Sequence, residues 1–190
     1  MNVIKGTMLV VMATFIVSSW VSCAFFQHTL PGLTLSNADI VGMMERLNDG
    51  AIDAAQLAQE KASDPEVKAF AGRVLNEHRG LAEGNGRLAA QLSFQPQPPA
   101  LATNWKRTHE QAMRELRTLS GPAFDQAYVR HEIQQHVQAF NFFEAAAKSE
   151  TTMALKQELV RTGPDLLSHI SAARALERHL GSDQPAVALR

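Results

Sequence analysis

The chain of 190 residues is 45% hydrophobic and only 6% aromatic, with a formal net charge of −1. That is enough for one domain with a sizeable core, and it offers no basic field to hold nucleic acid. The single cysteine, Cys23, leaves no intrachain disulfide framework and no thiolate zinc site.

The N-terminal stretch MNVIKGTMLVVMATFIVSSWVSCAFF joins Lys5 to an apolar run from Met8 to Trp20, then small residues around Cys23. This is the pattern of an export leader over residues 1–26. Three outcomes stay open. Val21-Ser22-Cys23 resembles a bacterial lipobox, so Cys23 could be lipidated and hold the chain on a membrane. Ser22 and Ala24 also suit ordinary cleavage, and Met8 to Phe26 approaches the length of an uncleaved anchor. Each outcome puts the domain in the periplasm or at the inner or outer membrane. Residues 27–36, with Pro31 and Gly32, read as a tether.

From Ser36 onward, apolar residues recur at helical spacing. Ser36 or Asn37 caps a first helix with the stripe Ile40, Met44, Leu47, Ala51, Ala54, Ala58, ending near Ala62. Ser63-Asp64-Pro65-Glu66 is a helix start signal, so a second helix follows at once and forms an antiparallel hairpin with the first. Its stripe is Phe70, Val74, His78, Leu81, Asn85, Leu88 and Leu92. The prolines of SFQPQPPA (93–100) end it. A shorter helix over about 103–118 carries Trp105, Met113 and Leu116. Ser120-Gly121-Pro122 opens the next, with Val129, Ile133, His136, Phe140, Phe143 and Ala147 on one face. The last long helix carries Leu155, Leu159, Leu166, His169, Ala173, Leu176 and Leu180. Two helical hairpins joined by a crossover with its own small helix predict an all-α, ferritin-like four-helix bundle over residues 37–181, with a flexible tail at 182–190.

The stripes place His78, His136 and His169 on buried faces of three long helices. At about 1.5 Å rise per residue they lie roughly 20 to 26 Å from the tight turns, which predicts one shared layer. Ala51 takes that height on the first helix. Glu132 and Asp165 precede His136 and His169 by four residues and share their sides of the helices, whereas Glu77 and His131 are expected to face outward. Imidazole with carboxylate suits iron, zinc, copper or manganese, so the candidate metal ligands are His78, His136, His169, Glu132 and Asp165. The simpler alternative is that each histidine satisfies a core hydrogen bond. None of the seven histidines has Glu three residues before it, which argues against a carboxylate-bridged di-iron centre. Gly163-Pro164 predicts a kink, or a restart with Thr162 as cap, that leaves carbonyls uncompensated inside the bundle.

The segments LAQEKASDPEVKAFAGRVLNEH, AFDQAYVRHEIQQHVQAFNFFEAAAKS and GPDLLSHISAARAL resemble, in order, the motifs of bacterial domain-of-unknown-function family 4142. The resemblance spans about residues 37–180 and implies a ferritin-like bundle in an outer-membrane or periplasmic protein. It places His78, Asp125, Tyr128, His136, Pro164 and His169 at motif positions. Glu77-His78 stands where an Asp-His pair is usual, and Ala51 where Glu is common; Asp53 lies on the polar side. Asp125 is expected to meet the positive end of its helix dipole, and Tyr128 to fill the bundle end with its hydroxyl on a partner.

These readings predict an exported, non-catalytic envelope protein that binds a metal ion, a small ligand or an envelope protein partner. The competing functions are a metal-dependent redox enzyme of oxidase or catalase type with a degenerate centre, and a purely structural interaction module using residues such as Trp105.

Overall fold

The computed structural model describes residues 35 to 182 except Phe94 and Glu150. The expected leader, lipidated Cys23, most of the tether and nearly all of the tail lie outside the described residues. Five helices follow in order: α1 (Asn37–Lys61), α2 (Pro65–Gln91), α3 (Ala100–Thr118), α4 (Gly121–Ala147) and α5 (Met153–Ser182). α1 pairs with α2 and α4 with α5; α1 also touches α4, α2 touches α5, and α3 in the crossover packs on α1 and α4. The architecture is the expected all-α four-helix bundle with a short extra helix. Among the described residues, no helix is long and apolar enough to cross a membrane.

The helix starts follow local chemistry. Ser36 and Asp39 form a reciprocal capping box on α1. At α2 the cap is Asp64, whose carboxylate accepts from the amides of Glu66 and Val67 at 2.7 and 3.1 Å. Ser63 is thereby free for another task. Its amide and hydroxyl, with the Asp64 amide, donate to the carboxylate of Asp125 on α4. Asp125 is 1% exposed, so the residue expected to meet a helix dipole instead clamps the α1–α2 turn to α4. His179 of α5 reaches the same turn through Asp64 Oδ2 at 3.1 Å. At the opposite end, the Asn37 side-chain oxygen accepts from the Thr152 amide at 3.2 Å.

The proline-rich crossover lies on the start of α1, where the Gln97 amide donates to the Ala38 carbonyl at 2.9 Å. Gly42 permits this approach, since a Cβ there would meet the Gln97 backbone at 2.4 Å. Lys61 then ties the end of α1 to α3 by donating to the Arg117 and Leu116 carbonyls at 2.6 and 3.3 Å, a favourable site for a cation. Gly121, at φ +57°, turns the chain into Pro122 and α4.

α5 runs through Gly163-Pro164 without a restart, and Thr162 is interior to it rather than a cap. Pro164 is exposed and Val160 is 66% exposed. The turn that loses its donor therefore faces solvent, where water satisfies the carbonyl, and not the bundle interior as the sequence suggested.

The Asp125 clamp has a measurable weight. Removing a buried carboxylate that accepts three hydrogen bonds strands two backbone amides, so Asp125→Ala is expected to cost about 3 kcal/mol in urea unfolding. A loss below about 1 kcal/mol would show that the turn docks without it.

Candidate metal centre

His78, His136 and His169 arrive from α2, α4 and α5 at one depth and are 4, 3 and 1% exposed. Their facing nitrogens all lie within 4.8 Å of one another. His136 Nε2 is central, 3.2 Å from His78 Nε2 and 3.0 Å from His169 Nδ1.

The other nitrogen of each ring has an oxygen acceptor. His78 Nδ1 donates to Asn48 Oδ1 on α1 at 2.8 Å, and His136 Nδ1 donates to the Glu132 carbonyl at 2.9 Å. His169 Nε2 donates to Glu77 Oε2 on α2 at 2.5 Å. The Glu132 carbonyl and the Glu77 carboxylate can only accept, which assigns the His136 and His169 tautomers, and the Asn48 amide in the orientation that presents Oδ1 assigns that of His78. In its neutral form each ring therefore spends its one N–H outward. The consequence is that the nitrogens without a proton, His78 Nε2, His136 Nε2 and His169 Nδ1, are the three that face one another.

The expected carboxylates behave differently. Glu132 is buried, but its Oε2 lies 3.4 Å from the outer nitrogen of His136, behind the ring and not among the facing nitrogens. Asp165 is a correction: it is exposed, and the cluster consists of the three histidines alone. The reason is angular. Four residues on a helix amount to about 40° of rotation, and the buried stripe of α5 lies on the other side of His169 from Asp165. Glu77 is half-exposed, as its position beside the stripe predicts, yet its carboxylate turns back to His169.

Beside the cluster is a small cavity of about 20 Å³, lined by His78, His136, Asn48, Gln135 and Thr162 together with apolar side chains. Ala51 contributes to that lining from α1.

The DUF4142 domain family, a domain of unknown function, matches residues 27–176. The chain belongs to this family. Two solved structures share the fold. A DUF305 protein from Streptomyces coelicolor, provisionally assigned as secreted, has a TM-score of 0.65 at 14% identity, covering 76% of this chain and 94% of its own. A DUF305 fragment from Deinococcus radiodurans also has a TM-score of 0.65, at 16% identity over 78% of this chain and 99% of its own. No curated protein sequence matches significantly.

Within this DUF4142 chain the motif positions take distinct roles. Asp125 clamps the turn; His78, His136 and His169 form the cluster; Pro164 lies on the surface. Tyr128 is fully buried and stacks on Phe124 at 6.1 Å, and the polar group that acts on its hydroxyl is the Glu132 carboxyl. A second pair of imidazoles escaped the sequence reading. His109 of α3 stacks on Trp105 at 5.1 Å and points Nε2 toward Asp53 Oδ2 at 3.4 Å. His131 lies 5.5 Å from His109 and is 5% exposed, not outward-facing. Trp105 is thus engaged in the core.

Burial dominates the electrostatics. It pushes His136 down to about 3 and His131 to about 4, and holds His78 well below 6.5, in each case reinforced by neighbouring histidines. It also pushes Glu132 up to about 8 and Tyr128 well above 10. At neutral pH, then, the contact between Glu132 and His136 joins two uncharged groups and is not an ion pair.

The pH dependence of the metal-free fold follows with a definite sign. Histidines held neutral contribute stability that is complete above the unfolded value of 6.5 and is lost as pH falls toward about 4 for His131 and about 3 for His136. Glu132, held protonated, contributes stability that is complete below 4.5 and is lost as pH rises toward about 8. Urea midpoints in chelator should therefore pass through a maximum and fall on both sides. Glu132→Gln should flatten the alkaline limb alone; an unchanged limb would mean that Glu132 is ionised in the folded chain.

Proposed function

We propose that the three-histidine cluster binds one divalent ion of the borderline class, Zn²⁺ or Cu²⁺, in a protein exported to the bacterial envelope. The observation that carries this is the convergence of three imidazole lone pairs in a buried layer, with every outer N–H already committed to an oxygen. A buried acceptor left unpaired costs about 1–3 kcal/mol, and three facing one another add repulsion; a cation relieves all of them together.

The dimensions agree. Metal–nitrogen bonds of about 2.0–2.1 Å in a tetrahedral set place ligand nitrogens about 3.3 Å apart. The 3.0 and 3.2 Å edges are close to this, and the longest separation, within 4.8 Å, needs only a modest ring rotation to close. Three neutral nitrogens with no direct carboxylate or thiolate favour zinc or copper over manganese, which prefers oxygen. Partners on the outer nitrogens orient the rings and raise their basicity, as ligand histidines require. Glu77, one ring away, supplies a carboxylate to offset the charge of the ion, and Glu132 can supply a second by releasing its proton when the ion binds.

Export is supported by the leader pattern of residues 1–26 and by the secreted assignment of the Streptomyces DUF305 protein. The leader ends near Cys23, and lipidation there would place the bundle on the periplasmic face of a membrane.

Untagged protein dialysed against Zn²⁺ or Cu²⁺ should retain one ion per chain by elemental analysis. His136→Ala should abolish retention, while His169→Ala and His78→Ala should weaken it by about a hundredfold or more. Asp165→Ala should leave it intact. If the parent retains no ion, or His136→Ala retains as much as the parent, the metal reading fails.

A further inference from the structure

Two buried polar atoms that the cluster does not use belong to residues that line the adjoining cavity. Gln135 Oε1 on α4 and Thr162 Oγ1 on α5 have no hydrogen-bond partner, and their residues are 8 and 2% exposed. A threonine inside a helix ordinarily returns its hydroxyl to the carbonyl four residues back, but Thr162 does not. Both residues line the same void of about 20 Å³ that His78 and His136 line, and that volume accommodates about one water molecule. Apart from Asn48, the rest of the wall is apolar and includes Leu47 and Phe143. Groups from two helices thus leave unpaired atoms around one small space, beside nitrogens that would occupy three positions of a four-coordinate ion.

We propose that an ion held by the three histidines carries its remaining ligand in this cavity: an exogenous inorganic ligand of one heavy atom, water or hydroxide, or a halide-sized anion in its place, hydrogen-bonded by Thr162 and Gln135. The inference rests on the metal-binding reading. It makes the centre an open site that exchanges a small ligand, and not a closed structural one. The apolar wall sets the size limit. Thr162 can donate to an anion or accept from water, and the Gln135 amide can present either its oxygen or, with the amide reversed, its NH₂.

The test uses Cu²⁺-loaded protein titrated with sodium fluoride and followed by electron paramagnetic resonance, in which fluorine bound directly to copper splits the copper lines. Splitting by a single fluorine is expected for the parent. Thr162→Val, which keeps the shape and removes the hydroxyl, should weaken fluoride binding about tenfold, the equivalent of one hydrogen bond, while Cu²⁺ affinity stays unchanged; Thr162→Ser should restore it. Copper that binds but shows no fluorine splitting at saturating fluoride overturns the open position and leaves the metal site standing. Splitting with the same fluoride affinity in Thr162→Val overturns the assignment to this cavity. Failure to bind copper at all overturns both this inference and the reading it rests on.

Discussion

The constraint on which this bundle depends is that a layer of polar side chains must pass through its core. Apolar packing separates into two clusters. One, around Ala54, Ala58, Val67, Phe70, Phe124 and Leu176, lies toward the α1–α2 turn. The other, around Ile40, Met44, Trp105, Phe142, Leu155 and Leu159, lies toward the opposite end. His78, His136, His169, Asn48, Glu132, Gln135 and Thr162 are buried with them. Each polar group there must find a partner or cost about 1–3 kcal/mol. Each cluster histidine finds an oxygen for one nitrogen and only another histidine for the other. Gln135 Oε1 and Thr162 Oγ1 find none. Unmet demand of this kind concentrates where a fold gives up stability for a function.

Bringing three rings to one depth requires that the helices cannot slide, and polar clamps at the bundle ends provide this. Asp125 fixes α4 to the α1–α2 turn, His179 fixes α5 to it through Asp64, and Asn37 holds the start of α5 through Thr152. From these anchors to the cluster the distance along each helix is on the order of 15–26 Å. A slip of one turn, about 5.4 Å, would separate the nitrogens beyond any shared ligand. The capping residues and the site are therefore one design problem, which accounts for Asp125 and the cluster histidines occurring in the same set of family motifs.

How much of this was legible in the sequence depended on side-chain chemistry. The helices, their order and the three inward histidines follow from the 3.6-residue period, since each stripe is anchored by unambiguous residues such as Val74 or Leu166. On α4 the same rule misplaces the face. Ile133, Phe140 and Ala147 draw the expected stripe toward one side, yet the buried side is turned roughly 80° toward Glu132, Gln135, Ala139 and Phe142. Periodicity counts apolar residues, so a face deliberately built from polar ones is invisible to it. The same blindness hid His109 in the most polar of the helices, and His131. Glu77 was missed for a different reason: a flexible exposed side chain can reach inward, and spacing does not encode where its carboxylate ends. Pro164 makes Thr162 a candidate cap, as the alternative to a kink, but the proline faces solvent and leaves the helix continuous.

The site also explains why a bundle of this connectivity need not be a di-iron centre. Bridging carboxylates bring two cations together by placing anions between them, whereas here the inward groups are neutral imidazoles and the carboxylates stand behind them. Glu132 is sealed in the core and stays protonated at neutral pH in the empty site. Glu77, half-exposed, is one hydrogen bond from His169 and is the group of the cluster with direct access to water. The assembly is thus asymmetric: a dry side toward Glu132 and Tyr128 that fixes His136, and a wet side at the half-exposed Glu77 that holds His169. Burial alone would make three converging lone pairs prohibitive. In the proposed metal-bound form, the single solvent-facing carboxylate on the outer nitrogen of His169 would offset part of the charge of the ion.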